Sequence, residues 1–414
     1  MSKVTAETLR KKYDFRWEVL DIIINGRSSI DSSQGFQIST LEDANRFVTS
    51  YGYDLENPIE RAQAFGNFHE SLNFIRRYFL HPENFDGLKI EVPRKILELT
   101  DVRELFLLAS SSNPGQGTDR SGLLLRNWAC SVLKVMHTVA HMDQDLRAGY
   151  FGDVQQQIFD RYYKAVHRDE DGKLYLGGSE SDPLRVDLVA FETKPKKGRD
   201  STLLKLLHKP ENVAEDIFDR VGIRFVTHSR FDAVRVVKFL KDTMILMPPN
   251  IKPSRSRNTL VDLERFRARL GELSTQEIDE IEFVRTLEDS IHHVQLVQDN
   301  PHSSSFYRAI QFTARQLIKM RNPIFDDLKE LKSVLKAKSA EPGIAAASSI
   351  ADRIDLKYLQ REVRFFYPYE VQILDIKSSE ENEKGRSAHS EYKRAQVQTA
   401  LRRVMGPLAD VGKA

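Results

Sequence analysis

The chain has 414 residues, 40% hydrophobic and 29% charged, with 62 Lys and Arg against 60 Asp and Glu, a formal net charge of +2. At roughly 100–200 residues per domain this predicts two or three domains with enough chain to bury a core. The near-neutral balance excludes long-range steering toward a phosphate backbone, so any phosphate chemistry must come from local clusters. The single cysteine, Cys130, excludes an internal disulfide framework and any multi-cysteine zinc site. It reads as a small buried hydrophobe in preference to a reactive thiol. The first residues lack an apolar signal core, and no run approaches 18 apolar residues. The expectation is a soluble cytoplasmic protein with no membrane partner.

Helices are predicted near 40–50, 57–80 and 93–109. Ser110–Ser121 is a loop by composition. Leu125, Trp128, Val132, Val135, Val139, Met142 and Leu146 then recur at spacings of three and four, the apolar stripe of a helix. Leu133, Met136 and Ala140 widen the stripe, which predicts burial on more than one side. His137, His141 and Asp145 lie four apart on the same helix. Zinc or iron could use such a row. The glutamate of an HEXXH motif is missing, however, and a polar stripe packed against the following domain is the preferred reading.

Past residue 150 the pattern changes. Leu184–Phe191 and Val221–Thr227 read as strands, Ser201–Lys209 and Phe231–Lys241 as helices. Phe306–Arg315 and Arg364–Ile376 are further strands, and a long helix closes the chain near 386–405. Alternating strands and helices predict a layered α+β domain with a mixed sheet over 151–414, following an all-helical domain over 1–150. Insertions are expected near 255–300 and 332–360: Leu260–Ser290 is charged and helical, and Lys336–Ser349 resembles a mobile linker. There is no internal repeat.

Three clusters carry chemistry. In the first, Lys194, Lys196, Lys197 and Arg199 precede a helix that Ser201 can cap. Cations at a helix N-terminus make a phosphate cradle, and a solvated basic turn is the plainer alternative. In the second, Asp219 falls just before a buried strand, where a carboxylate can face a metal. Gly222 permits close backbone approach, and Arg224 inside the strand needs an anionic partner. A structural Asp219–Arg224 pair is the alternative, and Asp232 reads as a cap of the next helix. In the third, Glu370 and Gln372 share one face of a strand whose other face carries Val371 and Ile373. His389 and Lys393 share a helix face beyond it.

Taken in order, these segments resemble the synthetase domain of RelA/SpoT-type (p)ppGpp synthetases, which have a nucleotidyltransferase-like fold. The resemblance covers about 185–400. It rests on Lys197 with Ser201 and Lys205, then Asp219, Gly222, Arg224 and Asp232. It continues through Tyr307-Arg308 with Gln311, Glu370-Val371-Gln372-Ile373, and His389, Tyr392 and Lys393. Phe306 and Gln311 stand where the family has Gly and His.

The resemblance implies a cytoplasmic pyrophosphokinase of the alarmone, or stringent-response, type. It would carry Mg2+ on Asp219 and Glu370, with Glu370 also activating the attacking hydroxyl. Lys197, Arg199, Ser201, Lys205, Arg224, His389 and Lys393 would hold ATP and its phosphates. Tyr307, Arg308, Gln311 and Gln372 would face the acceptor, either GDP/GTP or a tRNA 3′ end. A homo-oligomer is allowed, and a catalytically inactive nucleotide-sensing protein is the competing class.

Overall fold

The computed structural model describes residues 5, 7, 24–25, 38–82, 84, 87–110, 119–145, 149–179, 182–194, 198–209, 220–274, 277–290, 307–338, 341, 343–356, 359, 361–384 and 389–411. The elements before the first strand are helical: α1 (Leu41–Tyr51), α2 (Pro58–Ile75), α3 (Arg94–Leu97), α4 (Val102–Ala109), α5 (Arg120–Asp143) and α6 (Phe151–Tyr163). Side chains of Thr40, Asn57, Asp101 and Asp119 accept backbone N–H groups at the starts of α1, α2, α4 and α5. Each satisfies donors that a helix start leaves open. The cap at Asp119 starts α5 earlier than its apolar stripe does.

Among the described residues seven strands follow: β1 (Val166–Arg168), β2 (Leu174–Leu176), β3 (Val186–Lys194), β4 (Gly222–Thr227), β5 (Arg257–Asn258), β6 (Ile310–Arg321) and β7 (Glu362–Asp375). They form one mixed sheet in the order β1-β2-β3-β4-β7-β6-β5. Only β4 and β7 pair in parallel. Between and after them lie α7 (Arg199–His208), α8 (Arg230–Asp242), α9 (Leu263–Leu273), α10 (Glu280–Ser290), α11 (Pro323–Ala337), α12 (Ala345–Arg353), α13 (Ile376–Lys384), α14 (His389–Met405) and α15 (Leu408–Val411). The architecture is α+β. No helix among the described residues is long and apolar enough to cross a membrane.

Among the described residues two apolar cores form. The first joins α1, α2, α4 and α5 to Leu203, Leu204 and Leu207 of α7, to Leu401 and Val404 of α14, and to Leu408 of α15. The helices before residue 150 thus share their core with segments far along the chain. Ser131 and Lys134 of α5 reinforce the join by donating to the carbonyls of Val404 (3.0 Å) and Arg403 (3.1 Å). The second core lies under the sheet, where Val154, Ile158 and Tyr162 of α6 and Val236 and Phe239 of α8 meet Ile223, Phe225, Tyr369 and Val371. Tyr162 donates to the Tyr369 hydroxyl at 3.1 Å. Phe225 is fully buried, and truncating such a ring costs about 3–5 kcal/mol.

The charged helical segment expected over Leu260–Ser290 holds α9 and α10, and the closing helix expected near 386–405 is α14. The structure differs from the sequence reading at the linker. The segment expected to be a mobile linker contributes the end of α11 and the start of α12, because Ala345–Ala347 are strong helix formers once Gly343 has turned the chain at φ 89°. The strands flanking this insertion are also longer than expected. β6 and β7 pair from Ile310↔Ile373 out to Arg321↔Glu362, whereas β4 reaches only Glu370–Asp375. Their outer halves form a two-stranded ribbon that leaves the sheet.

Candidate active site on the polar face of the sheet

Alternation places the polar residues of four central strands on one face. In β7, Tyr369, Val371 and Ile373 turn to the core, so Glu370 and Gln372 turn away from it. The same rule puts Gly222 and Arg224 of β4 opposite Ile223 and Phe225, and Gln311 and Thr313 of β6 opposite Phe312 and Ala314. Register then aligns them, since directly paired residues share a face. One row runs Glu192, Arg224, Gln372, Gln311, Arg257 across β3, β4, β7, β6 and β5; the next runs Lys194, Gly222, Glu370, Thr313.

Glu370 is the hub. Gln311 Nε2 donates to its Oε2 at 2.6 Å, Gln372 Nε2 to its Oε1 at 2.8 Å, and the Lys194 ammonium lies 3.4 Å from Oε1. Lys194 begins two strands away and crosses β4 to get there. Gly222 makes the crossing possible, because a Cβ at that position would sit 2.8 Å from Lys194 Cδ. Arg224 is held by Ser379 Oγ at 2.8 Å, Glu383 Oε1 at 3.2 Å and Glu192 Oε2 at 3.4 Å. Its anionic partners are therefore Glu383 of α13 and Glu192 of β3. Tyr307 is pushed up to about 12, first by burial and then by the negative charge of Glu370, with Arg224 opposing. Its phenol stays protonated at any working pH. Asn382 fixes the approach to β6, accepting from Arg308 N at 3.1 Å and donating to Arg308 O at 2.9 Å.

Other candidates lie elsewhere. Arg199 is gripped by Glu70 of α2 (2.5 and 2.8 Å) and Asp143 of α5 (2.6 Å), hydrogen bonds that raise its pKa further. As placed, it fastens α7 to the helical layer. Ser201 is exposed in the first turn of α7 and is not the cap; Gly198 holds that position, with no side-chain bond. Lys205 is half-buried farther along α7, and Lys393 is exposed on α14. Ser229 caps α8, accepting from Asp232 N at 3.0 Å and donating to the Asp232 carboxylate at 2.9 Å, so Asp232 lies in the first turn and is not itself the cap. Asp219 and Lys197 lie outside the described residues, as does the side chain of His389.

The row His137, His141, Asp145 divides. Asp145 falls beyond the end of α5 and pairs with Arg220 at 2.7 Å in a nearly buried bridge. The His137 and His141 rings meet edge to face with centroids 4.4 Å apart, and the Tyr51 hydroxyl lies 2.8 Å from His137 Nδ1. Among the described residues no group of three His, Cys, Asp or Glu side chains could hold a metal.

Glu192, Ser379, Asn382 and Glu383 were not singled out by the sequence. The signal available was the partner that Arg224 required, but only register and the placement of α13 identify it. Compared with family models, the sequence matches none, and no curated protein matches it.

Proposed function

We propose that this chain is a pyrophosphokinase of the RelA/SpoT synthetase kind, with a nucleotidyltransferase-like sheet domain and a helical N-terminal domain for regulation or partner contact. It transfers pyrophosphate from ATP to the hydroxyl of a nucleotide or an RNA 3′ end. The observation that carries the reading is the alignment on one sheet face of Glu370, Lys194 and Arg224, with Tyr307 in electrostatic reach of Glu370 and Arg224.

In this reading the acceptor hydroxyl oxygen attacks the β-phosphorus of ATP and passes its proton to Glu370. The bond from that phosphorus to the α–β bridging oxygen breaks, and AMP leaves with the oxygen. Lys194 and Arg224 offset charge on the phosphate oxygens, since positioning and electrostatics do most of the work in such transfers. Tyr307 presents a neutral ring to the acceptor base.

Magnesium enters as the counter-ion of ATP, supplying charge neutralisation at phosphate oxygens. Asp219 and Glu370 are the ligands that the resemblance implies. Glu370 already accepts three donors, leaving about one of its four lone-pair sites. The described residues alone do not compose a magnesium site, and no step here passes through the metal. The parallel pairing of β4 with β7 supports the reading, because it makes the strand that follows Asp219 the neighbour of the strand bearing Glu370.

The test is incubation of the purified protein with ATP labelled on its β- and γ-phosphates and GDP, GTP or bulk tRNA. Label on an acceptor with matching AMP release is expected, and Glu370→Gln should abolish both. Absence of transfer to every acceptor overturns the catalytic reading. The bonds that Gln311, Gln372 and Lys194 already make to Glu370 favour a second reading, a nucleotide sensor without turnover. Tight nucleotide binding by calorimetry that survives Glu370→Gln, with no turnover in either protein, would select it.

A further inference from the structure

The polar face does not end at Glu370. Beyond Thr313↔Glu370 the same alternation continues along the β6–β7 ribbon through Arg315↔Pro368, Leu317↔Phe366, Lys319↔Arg364 and Arg321↔Glu362. The opposite side of the ribbon is closed. Ile318, Met320 and Tyr367 are buried, and Gln157 of α6 bonds to the Lys319 backbone and the Gln316 side chain. The outward side is open at its outer end, with Phe366 52% and Leu317 39% exposed as a directly opposed pair, while Pro368 and Thr313, between that pair and Glu370, are buried.

Four cations, Arg315, Lys319, Arg321 and Arg364, surround that pair against one carboxylate on the face, Glu362. Glu362 bonds Arg364, and Asp326 of α11 pairs with Arg321 at 2.7 Å. Arg315 and Lys319 flank Leu317; Arg315 has no ion-pair partner among the described residues, and Lys319 lies in electrostatic reach of Glu362. An exposed aromatic set between cations is what a single-stranded nucleic acid uses, with bases stacked on the ring and phosphates on the charges. Phe366 lies four residues from Glu370 on the same face, about 13 Å away at the rise of a strand.

We infer that the outer β6–β7 ribbon is a binding track for single-stranded RNA, which it leads with its 3′ end toward Glu370. This deepens the proposed function and rests on Glu370 being the group that meets the acceptor hydroxyl. Among the acceptors of that reading, it selects an RNA end. Base stacking belongs to Phe366, with Leu317 beneath the same base. Arg315 and Lys319, about 13 Å apart along β6, hold alternate phosphates on one strand edge, and Arg364 holds the other.

The experiment is fluorescence anisotropy of a short end-labelled single-stranded RNA with the full chain, without ATP, over a series of salt concentrations. Matched single-stranded DNA and duplex RNA serve as comparison arms. The expected result is salt-dependent binding of the single-stranded RNA, at least as tight as the DNA and tighter than the duplex. Phe366→Ala should weaken it about tenfold while Phe366→Tyr retains it. The Arg315→Ala, Lys319→Ala double variant should reduce the salt slope by about two. Unchanged affinity in both the Phe366→Ala and the double variant, or preference for the duplex, overturns the track. Thermal melts check that these exposed substitutions leave the fold intact. Because binding is read without ATP, failure of pyrophosphate transfer leaves this result standing. Transfer to a free nucleotide likewise survives loss of the track.

Discussion

Lys194 reaches Glu370 across an intervening strand, its ammonium 3.4 Å from Oε1 after passing over Gly222. Two residues 176 positions apart are coupled by the one residue type that leaves the crossing open. Gly222→Ala would press a methyl group against the lysine stem at 2.8–3.3 Å. We expect a stability loss of about 1–2 kcal/mol from overpacking, read by denaturant titration, and at least a tenfold fall in turnover. Lys194→Met keeps the stem and removes the charge, so it should lower turnover with little loss of stability. Equal stability losses in the two variants would refute this account.

In the proposed function Arg224 would bind phosphate, and in the structure it is already engaged by α13. Glu383, its partner there, is 62% exposed in the side chain, so the pair contributes only about 0–1 kcal/mol to stability. Glu383→Gln should leave melting unchanged and tighten ATP binding severalfold, because one competitor for the guanidinium is gone. Calorimetric titration measures it, and an unchanged affinity would count against Arg224 as a phosphate ligand.

The bridge between Asp145 and Arg220 ties the end of α5 to the start of β4, with side chains 6% and 11% exposed. Replacing Asp145 by Asn leaves a buried guanidinium short of its counter-charge. The expected cost is about 2–4 kcal/mol, measured by urea unfolding. A loss under about 0.5 kcal/mol, the scale of ordinary surface substitutions, would show that the bridge is not needed.

His137 is lowered to about 4 from 6.5, first by burial and then by the charge of neighbouring His141. Its folded value lies below its unfolded one, so from about pH 6.5 down to about pH 4 the unfolded chain takes up the proton more readily. Stability therefore falls as pH falls across that window, by about 1–3 kcal/mol from this group. His137→Asn keeps a polar neighbour for Tyr51 and should flatten that limb of the pH–stability curve. Parallel curves for the two proteins would refute the assignment.

The central strands were legible because Ile223, Phe225, Val371 and Ile373 alternate with polar residues, and period two is a local signal. So was Glu370, since a carboxylate within a strand needs a reason. What joins Glu370 to Gln311 and Lys194, or Arg224 to Glu383, is register and long-range packing, which no local window contains. Arg199 looked like part of a phosphate cradle because its neighbours are basic; its partners, Glu70 and Asp143, come from helices more than 50 residues earlier. The helix α12 was hidden by composition, since its Ala-Ser-rich sequence serves a linker and a short helix equally well.

The shared core of α5 with α14 and α15 has a consequence for how the protein is made. The bond from Ser131 to Val404 spans 273 residues, so the first helices leave the ribosome long before their partners exist. At synthesis rates of about 5–20 residues per second they wait roughly 14–55 s with Trp128 and Val132 unable to complete their core. Such non-local closure slows folding and exposes apolar surface to aggregation in the interval. The helical layer is therefore the part of this chain that most needs a chaperone, and the last part to become native.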